Sequence, residues 1–376
     1  MLNYLIVILE QNATSFCCYA SKNDHKSDLI PLESLKEVIN YAIKNRTFIS
    51  FLYGNSVLPF EYSEVIETVE HIKIMSLDNH LSDDNALIII DADKIKHPIS
   101  FLKDSDLSNI ILRVGSNNLK LLYGIVKKLI GKFKRLNIIL KDVDTLEELS
   151  FDMYHRQLEQ IRILLENEYR NGNFIEISVI SDRLFLTTMN NCGAGCDHIT
   201  LAPNGKFYLC PAFYYDNSDN SIGTIKDMEN LKNSPLLELA SSPICRTCDA
   251  YHCKRCIYLN KKLTSELNTP SSQQCTLAHI ERNISRKFLE TLKDELTGAE
   301  KITSIPEIDY LDPFTIISSP FLSLEDKEKH FAELLSKPLE NVPVKQLLLQ
   351  IYKTDPELLT KLKNLNYSGV DLANTD

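Results

Sequence analysis

Eight of the ten cysteines in this chain lie between Cys192 and Cys275, and that crowding constrains the fold more than any other feature. The spacing is Cys192-x3-Cys196-x13-Cys210, then a gap, then Cys245-x2-Cys248-x4-Cys253-x2-Cys256, then Cys275 after a second gap. A Cys-x-x-Cys turn aims two sulfurs at one centre while backbone N–H groups face them. Eight thiols make two sets of four, and four thiolates are the usual protein complement of a [4Fe–4S] cluster or of a structural zinc. Asn204-Gly205, between β-rich runs, marks a tight hairpin, because such a turn needs positive φ. That hairpin draws Cys196 and Cys210 together. The other two cysteines, Cys17 and Cys18, stand side by side near the start.

Thiols favour metal over disulfides only in a reducing compartment. The N-terminal MLNYLIVILEQ has no basic segment and only a short apolar run before Glu10, so it reads as a first strand and not as a signal peptide. The expected location is therefore cytoplasmic. The longest apolar runs, Leu5–Leu9 and Ala86–Ile90, are too short to span a bilayer. With 41 Lys and Arg against 51 Asp and Glu, the net charge is −10, which disfavours generic nucleic-acid binding. The 376 residues, 44% hydrophobic and 24% charged, can bury a sizeable core and predict two or three domains.

The first half alternates short β-rich runs with helical patterns. Strands are expected at Tyr4–Leu9, Phe48–Tyr53, Ile72–Leu77, Leu87–Ile90, Ile110–Val114, Asn137–Leu140 and Phe174–Ile180. Helices are expected from Pro31 to Lys44, from Asn118 to Lys132, and from a Thr145–Glu148 capping box to Arg170. Repeated strand–helix units imply a parallel sheet covered by helices, and about six or seven units fit a partial or complete β/α barrel. No GxGxxG or GxxxxGK[ST] is present, so neither dinucleotide nor P-loop binding has support. The division expected is 1–185 as a β/α domain, 186–285 as the cysteine-rich domain, and 286–376 as a helical tail. Amphipathic helices in that last part are expected at Asn283–Leu296, Leu324–Leu335, Val344–Tyr352 and Pro356–Leu365.

Cys192-x12-Gly205-x4-Cys210, the paired Cys turns and the final Cys275 resemble a SPASM domain, the C-terminal module of radical-SAM peptide maturases and anaerobic sulfatase-maturing enzymes. The resemblance covers about residues 190–280. It implies a degenerate radical-SAM-like partial β/α barrel ahead of the SPASM-like domain. It also implies two auxiliary [4Fe–4S] clusters, one held by Cys192, Cys196, Cys210 and Cys256, the other by Cys245, Cys248, Cys253 and Cys275. The family usually has x5 and x3 where this chain has x4 and x2. That difference leaves open a simpler arrangement in which Cys245, Cys248, Cys253 and Cys256 share one zinc. A second departure is larger. The family's CxxxCxxC loop, which binds the cluster that cleaves S-adenosylmethionine, is replaced after the first strand by Ser15-Phe16-Cys17-Cys18-Tyr19. Adjacent cysteines cannot supply three ligands, so no S-adenosylmethionine cleavage by this chain alone is expected. The opening LNYLIVIL and Ile30-Pro31-Leu32-Glu33 most resemble the CXXX repeat peptide maturases, with the SPASM maturases of grasp-with-spasm systems as the near alternative. Both imply a ribosomally made, Cys-rich precursor peptide and a radical-SAM or ATP-grasp partner enzyme.

Other residues admit a plain reading beside a chemical one. Cys17 and Cys18 read as small hydrophobes beside a strand, or as substitutes for the lost loop. His198 reads as a strand residue or a substitute ligand. Tyr251 and His252 separate two Cys turns and shield them. Lys254 and Arg255 either balance the charge of a thiolate site or face solvent. Asp91 and Asp93 follow an apolar strand at the end where β/α folds place chemistry, and helix capping accounts for them equally. Three functions are open: a catalytic or electron-carrying maturase component, a binding module in which metal only holds the fold, and a redox-regulated protein using reversible disulfides. The last requires exposed thiols of low pKa.

Overall fold

A computed structural model describes residues 2–19, 28–77, 86–94, 107–226, 234–292 and 303–305, with Glu325 and Lys329. Residues 1–273 and 277–305 form one compact unit, described below, and 274–276 group with 306–376 in another. Of the expected tail helices, Val344–Tyr352 and Pro356–Leu365 lie outside the described residues, as does most of Leu324–Leu335.

The strands are β1 (Tyr4–Ile8), β2 (Phe48–Leu52), β3 (Ile72–Ser76), β4 (Leu87–Asp91), β5 (Leu107–Val114), β6 (Phe133–Leu140), β7 (Glu176–Ile177), β8 (His198–Leu201) and β9 (Phe207–Tyr208). The helices are α1 (Leu32–Asn45), α2 (Phe60–Ile66), α3 (Leu122–Leu129), α4 (Glu148–Arg170), α5 (Ser178–Ser181), α6 (Pro211–Asp216), α7 (Ile257–Thr264) and α8 (Ser272–Thr291). The described strands make one sheet in the order β7-β6-β5-β4-β3-β2-β1-β8-β9. Neighbours are parallel throughout, save the antiparallel hairpin β8–β9. Sequential strands that neighbour one another in parallel give the partial β/α barrel expected from the repeated units.

The cysteine-rich segment does not stand apart from this sheet. Its β8 pairs with β1 along Tyr4–Val7, opposite the ladder that β1 makes with β2. β1 is therefore an interior strand, and its side chains alternate between two cores. Leu5, Val7 and Leu9 join α1, α2 and β8, while Ile8 faces the larger core of α3, α4 and the cysteine-rich segment. Helix α1 forms because Leu35, Val38, Ile39 and Ala42 recur at helical spacing and are all buried.

Local chemistry moves some boundaries from their expected places. The 174–180 strand shortens to Glu176–Ile177 because serine hydroxyls take over the backbone. Ser178 Oγ accepts from the Ile138 N–H, and Ser181 Oγ both donates to the Ile177 carbonyl and accepts from its N–H. The Thr145–Glu148 capping box does not form: Thr145 donates to the Asp142 carbonyl at 2.8 Å within a 3-10 turn, and α4 starts at Glu148. The expected 118–132 helix begins as a 3-10 turn at Ser116–Leu121 and ends at Leu129, so that β6 starts at Phe133 and not at Asn137. Gly131, at φ +80°, makes that early turn possible. The Asn204-Gly205 hairpin forms as expected, with Gly205 at φ +73°.

Asp91 and Asp93 are tied into the strand ends. Asp91 accepts from Arg113 at 3.2 Å and Lys141 at 2.8 Å, and its carboxylate also accepts from the Asp93 N–H at 3.2 Å. Asp93 binds Lys141 and Asn118. This network joins β4, β5 and β6, and of the expected helix capping only the Asp93 N–H bond to Asp91 is seen. Partial burial would raise the Asp93 carboxyl, but the hydrogen bonds from Lys141 and Asn118 outweigh it and hold the group below its usual range.

The network sets two measurable expectations. Arg113 is buried between Asp91 and two loop carbonyls, and Asp91 keeps Lys141 if Arg113 is lost. Arg113→Leu is expected to cost about 3 kcal/mol in denaturant unfolding, the low end for breaking a buried pair. Because the folded Asp93 carboxyl is depressed, its contribution is present above the unfolded carboxylate pKa and is lost as pH falls through the folded value. Asp93→Asn should therefore flatten the acid limb of a stability-against-pH curve; an unchanged limb would place the acid sensitivity elsewhere.

Candidate metal centre

None of the ten cysteines is in a disulfide, and the structure sorts most of them into two groups. The first group gathers around α6 and α7. Cys210 is the residue before α6 and Cys256 the residue before α7. Backbone N–H groups of Ala212 and Phe213 act on the Cys210 sulfur, and those of Tyr258 and Leu259 act on Cys256, each favouring a thiolate. The N–H groups in a helix's first turn have no intrahelical partner, so an anion there is stabilised. Cys192 is drawn to the same place by the backbone, its N–H donating to the Lys254 carbonyl at 2.7 Å. The Ala194 N–H acts on its sulfur.

The loop after β1 enters this group. Cys18 Sγ lies 3.8 Å from Cys256 Sγ. Cys17 lies in the electrostatic field of Cys192, Cys256 and Cys210, with Arg113 opposing them. Burial, then the neighbouring sulfurs, pushes Cys17 and Cys210 well up. Cys256 is raised first by its contact with Cys18, then by burial. Although the Cys192 residue retains exposed surface, the protein packed around its sulfur pushes the thiol up to about 11.

The second group is Cys245, Cys248 and Cys253. Burial pushes Cys245 up to about 11, with Cys248 adding, and Cys253 up to about 12, with Cys248 and Cys245 adding. The Ala250 N–H donates to Cys248 Sγ at 3.5 Å, and the Arg255 N–H acts on Cys253. Arg255 adopts a left-handed φ of 43°, unusual for a buried arginine and imposed by the Cys253–Cys256 turn. His279 of α8 places Nε2 at 3.7 Å from Cys248 Sγ. Cys275 lies in the first turn of α8.

Cys196 follows Gly193 and Gly195, both at positive φ, on the turn into β8. Burial raises its thiol, the carboxylates of Glu238 and Asp197 add, and Arg255 opposes. His198 is a buried β8 residue paired with Tyr4 and packed edge-on against its ring; burial lowers its pKa to about 4 and keeps it neutral. That is the strand role.

Counter-charge converges on the sulfurs. Arg183, Arg255 and Arg282 are almost fully buried beside the Cys turns. Arg183 donates to the Asp249 carbonyl at 2.7 Å and lies over the Tyr251 ring at 4.1 Å. Arg282 donates to Asp249 Oδ1 at 2.8 Å. Arg255 favours the thiolates of Cys192, Cys196 and Cys245, and Lys254 favours that of Cys192. His252 Nε2 meets Glu281 at 3.0 Å, and Glu281 also accepts from Tyr154 at 2.7 Å, which ties the Cys turns to α4 and α8.

The residues present fit a thiolate-ligated metal. Arg183 Nη1, Arg255 Nε, Arg282 Nε and His252 Nδ1 are buried without a hydrogen-bond partner. Buried N–H groups are rarely left so, and a centre ligated by four thiolates carries the net negative charge they would face. Among the described residues no three His, Cys, Asp or Glu side chains already form a closed metal site. Sequence reasoning missed Arg113, Arg183, Arg282 and His279, because nothing local in the chain marks residues brought in by other elements.

No family model matches this sequence, and no curated protein does. Among solved structures the chain is similar to polyhistidine-tagged anSMEcpe with bound AdoMet, at 14% identity and a TM-score of 0.52, covering 79% of this chain and 97% of that one. It is similar also to native anSMEcpe with bound AdoMet and Kp18Cys peptide, at 13% identity and a TM-score of 0.53, covering 77% and 99%. At such identities the likeness is one of fold, and the chain has the radical-SAM/SPASM-like fold that the cysteine pattern implied.

Proposed function

We propose that this chain takes part in the maturation of a ribosomally made, Cys-rich peptide in the cytoplasm, as a metal-bearing SPASM protein working with a radical-SAM or ATP-grasp partner. The observation that carries this reading is the sorting of thiols into two groups, each flanked by buried cations. The fold likeness supports the peptide part, since a similar structure holds a Kp18Cys peptide. A CXXX repeat maturase, or the maturase of a grasp-with-spasm system, is the finer form of the same proposal.

The cysteine pattern assigns Cys192, Cys196, Cys210 and Cys256 to one [4Fe–4S] cluster. Cys245, Cys248, Cys253 and Cys275 hold the other, with Cys275 assigned from the sequence pattern alone. With four thiolates each, such clusters would leave no iron open and, when bound, would supply electron transfer or hold the fold. The chain's own part is to exclude water from the sulfurs, to present N–H groups to them, and to neutralise their charge with Arg183, Arg255 and Arg282. The second reading is a zinc-held scaffold that presents the peptide to its partner. It draws support from the 3.8 Å spacing of Cys18 and Cys256, close to the edge of a tetrahedron of sulfurs about 2.3 Å from one ion.

Protein purified without oxygen is expected to carry iron and acid-labile sulfide in equal amounts with visible cluster absorbance. Colourless protein with stoichiometric zinc and no sulfide would establish the scaffold instead. Cys210→Ser and Cys253→Ser should each remove one centre and spare the other; loss of both from either change would make the two centres one folding unit. AdoMet incubated with the reduced chain alone should stay intact by chromatography, because Cys17 and Cys18 cannot supply a three-thiolate loop. Release of 5′-deoxyadenosine would sink that assignment.

A further inference from the structure

We infer that Cys18 is a ligand of the first metal centre, the fourth thiolate beside Cys192, Cys210 and Cys256, in the place the sequence pattern gives to Cys196. This rests on the reading that the cysteine-rich segment binds metal, and it adds to that segment a ligand from the opposite end of the chain.

The geometry begins with the Cys18–Cys256 contact of 3.8 Å between sulfurs that are 238 residues apart in sequence. The contact is a thiol–thiol hydrogen bond in this structure, and the same spacing suits two thiolates on one cation. Either metal of the reading above could take both. A single ion suits the present spacing, and a cluster, whose thiolates stand on separate irons, needs the pair to spread.

The loop that carries Cys18 is fixed on both sides of it. Arg113 Nε donates to the Cys17 carbonyl at 2.9 Å, and its Nη2 donates to the Tyr19 carbonyl at 2.7 Å. Arg113 itself is anchored by Asp91 at 3.2 Å. The Tyr19 ring stacks on Tyr215 of α6, 5.4 Å between centroids and 20° between planes. Tyr215 in turn donates to the Ala13 carbonyl at 3.4 Å. Since Cys210 precedes α6, this stack locks the Cys18 loop to the element that presents Cys210. A cysteine serving only as a small hydrophobe would not require an arginine across its two flanking carbonyls.

The test uses the full chain purified without oxygen, with metal and sulfide counted per chain in wild type, Cys18→Ala, Cys17→Ala and Cys196→Ala. Cys18→Ala is expected to lose one of the two centres, as Cys210→Ser does, while Cys17→Ala and Cys196→Ala keep both. Full metal in Cys18→Ala, or loss confined to Cys17→Ala or Cys196→Ala, overturns the inference and leaves the metal reading standing. Wild-type protein without metal overturns both. Should Cys18→Ala fail to fold, iodoacetamide footprinting of the wild type decides. Cys18 should be protected along with Cys210 and Cys256 and become labelled after chelation, whereas labelling of Cys18 before chelation rejects it as a ligand.

Discussion

The two parallel ladders on β1 are the constraint on which the rest of the molecule depends. A strand hydrogen-bonded on both edges, by β2 and by β8, has no freedom in position or register. The first ladder commits the N-terminal half to a partial barrel. The second brings the cysteine-rich segment onto that barrel as a continuation of the sheet. Because both partners are read from one strand, the loop leaving β1 and the hairpin β8–β9 are fixed relative to each other. Cys18 and Cys256 can meet only because this scaffold fixes both ends.

Burying many sulfurs in one region raises a charge problem that the arginines answer. Apolar surroundings and neighbouring thiols favour the protonated form, as the raised values of Cys192, Cys245 and Cys253 show. Backbone N–H groups at the starts of α6 and α7 and in the Cys turns pull the other way. Arg183, Arg255 and Arg282 add fixed positive charge, each with an N–H not yet engaged. Asp249 balances part of that charge, accepting from Arg282 and lying 3.9 Å from Arg183, and the remaining N–H groups are the ones the proposed thiolate centres would engage.

The sheet was largely legible in the sequence, because β-branched runs such as Leu87–Ile90 and helical spacing such as Leu35, Val38, Ile39 and Ala42 are local signals. The failures at Thr145 and at 174–180 came from serine and threonine hydroxyls, which compete for backbone bonds in ways periodicity does not register. The Cys turns and the Asn204-Gly205 hairpin were legible for the same local reason. The long-range half of the site was not. Nothing near Cys18 in sequence signals Cys256, and nothing near Arg282 or His279 signals the turns they flank. His198, a histidine among cysteines, was legible as an ordinary strand residue, and that is where β8 places it.

The loop that stands where the family has CxxxCxxC has a structural role of its own. In a fold of this kind the loop after the first strand stands where β/α proteins place their reacting groups. Here the loop is pinned by Arg113, stacked through Tyr19 onto α6, and set with its sulfur against Cys256. A segment held this tightly keeps its sulfur in one place relative to α6 and α7. On the proposed reading, AdoMet chemistry on the peptide comes from a second protein, and Cys18 closes the metal site of this one.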